Sequence, residues 1–332
     1  MNYLSNFIKL IGLLIGFSKK IKSQKAFLQQ SIGDIIEESK KNNDGSLDDD
    51  DFRKINLYGY AIPAMPGETF CTLTGKKEMS DKERLAMTCL GAITGLFDDF
   101  FDKKNLPESR IRELIDNNQK TKPENSNEQL FMQLNGLAYE NCTNKDEYTR
   151  YFNNVFDGQV LSKKQQSANI EKPEIKEIIF YKGGVSMMLY SCALSQNLSE
   201  ADKKIIFKLG SIGQLENDIF DVFKDFKEGI KTLATEETKI NNLRETYSAL
   251  IAEIFQLVRE TSHSQKNQQK FLRILALVLC RGYVCLEYLE RNEKKTGNTF
   301  IISAYSKKDL TCDMEKPSSV FRLLHYAAKM QY

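Results

Sequence analysis

The sequence predicts an all-α protein, on three observations. Apolar residues recur at intervals of three and four rather than alternating. Six prolines and few Gly-containing turns interrupt that pattern over 332 residues. Helix-boundary residues also fall where the periodicity starts and stops: Pro107 follows Lys103-Lys104-Asn105, Pro173 occupies a first turn, and Gly229 follows Asp225-Phe226-Lys227.

Taken in order, helices are expected at roughly 3–22 and 25–40, before an acidic loop leads into 48–58. The first carries Phe7-Ile8-Lys9-Leu10-Ile11-Gly12-Leu13-Leu14-Ile15-Gly16-Phe17, which Lys9 interrupts; it is too short to span a bilayer and reads as a packing helix. The loop, Lys40 to Asp51, has some calcium-loop spacing, but Lys40 stands where the first carboxylate ligand is needed. It reads as a solvated approach to a helix N-terminus, where Asp is favoured. Further helices are expected at 80–103, 107–118, 126–142, 145–162, 172–196, 200–226, 236–262, 266–293 and 318–330. No repeat, low-complexity tract or long linker divides the chain, which predicts a single domain over 1–332. Within it, 1–60 supplies N-terminal helices and the acidic loop, 80–232 a motif-bearing core, and 233–332 C-terminal helices.

Composition narrows the chemistry. With 47 Lys+Arg against 45 Asp+Glu, the net charge of +2 provides no global field for nucleic acid. The two histidines, His263 and His325, stand at no ligand spacing from a cysteine or carboxylate, which argues against His-based zinc sites and Ser-His triads. Seven cysteines form no Cys-x-x-Cys pair and are odd in number, so a disulfide framework is not expected and a cytoplasmic setting is.

Two acidic segments stand out. In Leu90-Gly91-Ala92-Ile93-Thr94-Gly95-Leu96-Phe97-Asp98-Asp99-Phe100-Phe101-Asp102, the carboxylates of Asp98 and Asp102 lie about 40° apart in azimuth and about 6 Å apart along the axis. They occupy the last turns of an apolar helix, where the macrodipole and mutual repulsion call for a compensating cation. Taken alone, this segment reads equally well as an acidic surface turn. In Leu209-Gly210-Ser211-Ile212-Gly213-Gln214-Leu215-Glu216-Asn217-Asp218-Ile219-Phe220-Asp221-Val222-Phe223-Lys224-Asp225, the residues Asn217, Asp221 and Asp225 recur at i, i+4 and i+8. Interleaved phenylalanines argue against a solvated acidic face. Hard oxygen donors that leave positions open for water and phosphate are what Mg²⁺ prefers.

Asp98-Asp99-Phe100-Phe101-Asp102 resembles the aspartate-rich motif of class I isoprenoid synthases, and Asn217-xxx-Asp221-xxx-Asp225 resembles their second metal motif. In terpene cyclases the middle position is usually Ser or Thr and the last Glu. In trans-prenyltransferases the motif is Asp-Asp-x-x-Asp with a further Asp four residues on, so Asn217 here replaces the first acid, and Gln214 matches that pattern too. The same string is similar to squalene and phytoene synthases. Lys182 and Lys231 stand where prenyltransferases place diphosphate-contacting lysines. The acidic loop also holds an Asp-x-Asp-Asp string resembling the protonating motif of class II terpene cyclases, whose additional helical domains this length cannot supply.

The resemblance implies one large helical bundle of the class I terpenoid synthase type with a central cavity. About three Mg²⁺ ions would be held by Asp98, Asp102, Asn217, Asp221 and Asp225, with Lys182, Lys231 and Gln214 on the substrate diphosphate. Gly91, Thr94, Phe97, Gly183, Ser186, Gly210 and Phe220 are expected to line the cavity, with a helix break at Gly183-Gly184. Small residues one turn behind each motif suggest a pocket running toward Met87 and Phe207. The Arg pair that holds a second diphosphate in chain-elongating relatives is missing after Asp102. That favours a terpene synthase, a lyase that ionises one linear C15 to C25 prenyl diphosphate. Chain elongation, head-to-head condensation and a non-catalytic isoprenoid-binding subunit remain alternatives. Expected partners are the prenyl diphosphate and a second copy of the chain, with no nucleic acid and no membrane span.

Overall fold

Local sequence chemistry starts many of the helices. Asp48 and Asp51, Ser80 and Glu83, Ser199 and Asp202, and Ser306 and Asp309 each form a reciprocal capping box, satisfying backbone N–H groups that a helix start leaves open. The computed structural model describes residues 3–116 and 121–330. Among them there is no strand. In chain order the helices are α1 (Tyr3–Lys41), α2 (Asp49–Ile62), α3 (Glu68–Thr74), α4 (Asp81–Asp102), α5 (Glu108–Ile115), α6 (Ser126–Asn141), α7 (Lys145–Ser162), α8 (Lys172–Ser191), α9 (Glu200–Phe220), α10 (Val222–Glu228), α11 (Ile240–Arg259), α12 (Gln265–Lys295), α13 (Lys307–Leu310) and α14 (Pro317–Lys329).

The all-α expectation agrees with this, and several boundaries differ for identifiable reasons. Residues 3–22 and 25–40 form one helix, because nothing at Ser23-Gln24 breaks a helix and Gln24 is buried with its amide on Thr88 Oγ1 at 2.7 Å. Pro63–Gly67 forms a π-turn that passes directly into α3. α8 runs unbroken through Gly183-Gly184, against the expected break. The 200–226 helix divides at Asp221, whose backbone (φ −93°, ψ 10°) leaves the helical path and resets the phase of α10. The predicted end of the 107–118 helix lies outside the described residues.

The chain forms two compact units. One comprises the residues up to Leu14, Val160–Met187 and the residues from Leu198 onward; the other comprises Ile15–Gln159 and Met188–Asn197. In the second, α4 is nearly all buried and packs on α2 and α6. Its apolar end carries an aromatic cluster in which Phe97 meets Phe101, Phe131 and Phe152, with centroids 5.2–6.0 Å apart. In the first, α11 and α12 pack together, with α9 against α11 and α14 against α12. There Tyr247, fully buried, donates to the Leu279 carbonyl at 2.8 Å, and its ring fills the space that Gly282 leaves open.

All seven cysteines are buried, free thiols. His263 bonds Asp202 at 2.7 Å, and His325 bonds Tyr3 at 2.9 Å. No helix is long and apolar enough to cross a membrane among the described residues. The acidic loop does open α2 as expected, but Asp51 is buried rather than solvated. The apolar segment of α1 buries Leu10, whereas Leu4, Ile8, Ile11 and Ile15 are exposed.

Candidate functional site

The last two turns of α4 place three neighbouring aspartates in three environments. Asp98 is half-buried and accepts a hydrogen bond from the Gln159 amide. Asp99 points into the protein, where Lys54 Nζ donates to both of its oxygens at 2.9 and 3.0 Å and Lys103 Nζ lies 3.1 Å away. Burial disfavours its charge, but the two ammonium groups outweigh that and hold Asp99 below the ordinary carboxylate range. Burial drives Asp51, its neighbour on α2, the other way, and the hydrogen bond to Asp99 adds to the rise. Asp102, the last residue of α4, is exposed. Asp99 is therefore locked into a charge network that ties α4 to α2, whereas Asp102 is exposed and Asp98 has an amide partner in Gln159.

Behind Asp98, Thr94 Oγ1 bonds its own helix at Leu90 O (2.9 Å) and the hydroxyl of Tyr190 (2.7 Å). Tyr190 is buried, and burial with the nearby Asp98 charge pushes its phenol up. Gln159 and Tyr190 are neighbours of the first motif that sequence reasoning missed. Both lie far from it in sequence, and neither sits in a recognisable pattern.

The end of α9 is the stronger concentration of unbalanced charge. Gln214 Nε2 donates to Asp218 Oδ1 at 2.9 Å, and Asp218 Oδ2 is buried with no hydrogen-bond partner among the described residues. Burial, with the charges of Asp225 and Asp221, raises Asp218 to about 8, although Gln214 and Lys182 pull the other way. Asp225 is also buried; desolvation and the Asp221 charge raise it to about 7, opposed by Lys224 and Lys182. Burial raises Asp221 too. Asn217, in contrast, is exposed. The expected i, i+4, i+8 stripe is therefore not a single face. The bend at Asp221 turns Asp225 into the surroundings of Asp218, so the acids that share an environment are Asp218, Asp221 and Asp225. Asp218 was overlooked in the sequence, although it fills the second acidic position of the prenyltransferase-type pattern.

Lys182 of α8 is half-buried and acts on both Asp218 and Asp225. Lys231 is otherwise engaged: its ammonium donates to Ala168 O at 2.7 Å and lies 3.8 Å from Glu236. Ser186 donates to the Lys182 carbonyl one turn back at 2.8 Å. Phe220, half-buried, ends α9.

The cavity-lining expectation needs correction at four positions. A Cβ on Gly91 would collide with the Tyr58 backbone of α2, and one on Gly210 or Gly183 would collide with the other's carbonyl. These glycines let helix backbones approach closely rather than leaving a pocket open. Phe97 belongs to the aromatic cluster. Of the residues expected at the pocket's far end, Met87 packs on Gly67 and Phe207 packs on Gly184.

The site offers chemistry to a hard cation. The unpartnered oxygen of Asp218, the raised pKa values and the surplus of carboxylates over cations at the end of α9 suit a divalent ion. Among the described residues no three His, Cys, Asp or Glu side chains form a ready-made metal cluster. An ion held here would complete its shell with water and ligand oxygens, the usual habit of Mg²⁺. No family model and no curated protein matches the chain.

Proposed function

We propose that the protein is a class I isoprenoid synthase of the terpene synthase type, which ionises a linear prenyl diphosphate to a hydrocarbon or alcohol and diphosphate. The observation that carries this reading is the buried carboxylate of Asp218, its pKa raised by burial and then by its acidic neighbours, with Lys182 close by, inside the segment that resembles the second metal motif. A structural acid buried this deeply would normally be matched by a cation, as Asp99 is by Lys54. Asp218 instead has an amide on one oxygen and no partner on the other among the described residues, as suits a ligand-binding carboxylate.

In this reading Asp218, Asp221 and Asp225 at the end of α9 hold Mg²⁺, and Asp98 and Asp102 at the end of α4 are metal ligands in their own right. Bound Mg²⁺ supplies Lewis-acid neutralisation of the charge that develops on the departing diphosphate. Gln214 fixes the rotamer of Asp218 and leaves one oxygen available. Gln159 donates to Asp98. Lys182 donates to diphosphate oxygens when the acids beside it are neutralised by metal. Lys231 is better read as a tie to the Ala168 carbonyl.

Calorimetric titration with Mg²⁺ and inorganic diphosphate tests this binding chemistry. Wild type is expected to bind diphosphate only when Mg²⁺ is present, and Asp218→Asn is expected to weaken that binding at least about tenfold. Diphosphate binding that ignores Mg²⁺, or that survives Asp218→Asn unchanged, would count against the assignment.

A further inference from the structure

The first helix presents a face that the isoprenoid chemistry does not use. Ile8 is 61% exposed, Ile11 40% and Ile15 55%. Their spacing of i, i+3 and i+7 aligns them on one side of α1, and Lys19 and Lys22 continue the same stripe, all five within about 80° of azimuth and about 21 Å of length. Phe321 of α14 is 60% exposed, with its ring centroid 6.0 Å from that of Phe7. The first 33 residues carry five of the 47 Lys+Arg (Lys9, Lys19, Lys20, Lys22 and Lys25) and none of the 45 Asp+Glu. This segment alone is therefore +5, and the remainder of a chain of net charge +2 is negative. Lys20 is matched by Glu68, and Lys25 lies over the Tyr60 ring. Lys9, Lys19 and Lys22 are exposed and make no ion pair among the described residues.

We propose that this face of α1 docks on an anionic lipid bilayer, with Ile8, Ile11, Ile15 and Phe321 entering the interface, Lys19 and Lys22 meeting the headgroups, and Lys9, about 100° round the helix from Ile8, reaching them from the flank. Charge selects this occupant. A second copy of the chain would bring two acid-free, strongly basic segments together, whereas an anionic leaflet complements them and accepts an apolar stripe beside a basic one. The helix lies on the membrane rather than crossing it, in keeping with its length of apolar sequence. The surface shares no residue with the acidic helix ends and does not depend on the proposed reaction.

Co-sedimentation of the full chain with phosphatidylcholine vesicles, with and without about one-third phosphatidylserine, tests the proposal. Binding is expected to the phosphatidylserine vesicles only, and to weaken as salt is raised from about 0.1 M to about 0.5 M. The triple variants Ile8→Ser/Ile11→Ser/Ile15→Ser and Lys9→Gln/Lys19→Gln/Lys22→Gln, and the single variant Phe321→Ser on a different helix, are each expected to fold, because the replaced side chains are exposed. Both triple variants should lose binding about tenfold or more. Absence of binding to phosphatidylserine vesicles, equal binding to neutral ones, binding unchanged in both triple variants, or a dimer dissolved by the isoleucine substitutions would each overturn it.

Discussion

Gln214 donates a 2.9 Å hydrogen bond to one carboxylate oxygen of Asp218 and leaves the other buried with no partner among the described residues. An amide at this position would keep the first contact's geometry available through side-chain rotation and remove the buried charge. Asp218→Asn is therefore expected to fold, to melt at or above the wild-type temperature at about pH 8, and to lose Mg²⁺-dependent turnover by about 100-fold or more. Differential scanning fluorimetry and a diphosphate-release assay on the same preparation check both halves.

The same acids set a pH dependence. In the unfolded chain an Asp titrates near 3.9, whereas burial and neighbouring charge raise Asp225 to about 7 and Asp218 to about 8 in the fold. Between those limits the native state binds more protons than the unfolded state, so stability falls as pH rises. The contribution is full below about pH 4 and is lost as pH passes through about 7 to 8. With metal removed by chelator, the melting temperature is expected to drop by roughly 5 °C between about pH 5 and about pH 8, more than in the Asp218→Asn/Asp225→Asn variant. Mg²⁺ binds the ionised acids, so its affinity should increase over the same range. A flat melting profile in wild type would remove the basis for both statements.

Neighbouring aspartates on α4 should behave differently. Asp99 is buried between Lys54 and Lys103, and Asp99→Asn strips a paired charge from that network at a cost of about 3 kcal/mol or more. Asp98, half-buried with an amide partner, should tolerate Asp98→Asn within about 1 kcal/mol while turnover falls steeply. Urea denaturation of the two variants, with diphosphate release measured on the same preparations, checks both expectations.

Glycines on α9 provide a control on packing. Gly210→Ala would drive a Cβ into the Gly183 carbonyl and is expected to destabilise by about 1–3 kcal/mol. Gly213, one turn on, has nothing within 4 Å of the position an added Cβ would take, so Gly213→Ala should stabilise by up to about 1 kcal/mol through helix propensity. Equal midpoints for the two variants would contradict the close approach of α8 and α9.

Helix positions were readable because a buried stripe repeats at three and four, and that repeat survives without knowledge of partners. What the stripe meets is not encoded in the same way. Gly91 and Gly210 read equally as the floor of a cavity or as a place where two backbones touch, and only the carbonyls of Tyr58 and Gly183 decide it. Asn217 and Asp218 lie about 100° apart on a helix, and which of them faces inward depends on how α9 is rolled in its packing. The bend at Asp221 was invisible for a related reason: Asp221 and Asp225 continue a helical spacing in sequence even though the backbone between them changes direction. The acid-rich composition of both helix ends was legible; the particular acids left without a counter-charge were not.

Terpene synthase activity is tested most directly by incubating the pure protein with farnesyl and geranylgeranyl diphosphate and Mg²⁺, then measuring released diphosphate together with the extracted product by mass spectrometry. The expected result is Mg²⁺-dependent release of one diphosphate per terpene hydrocarbon or alcohol formed, abolished by chelator and by Asp218→Asn. Folded protein that releases no diphosphate from either substrate, or whose release is indifferent to Mg²⁺, would contradict it.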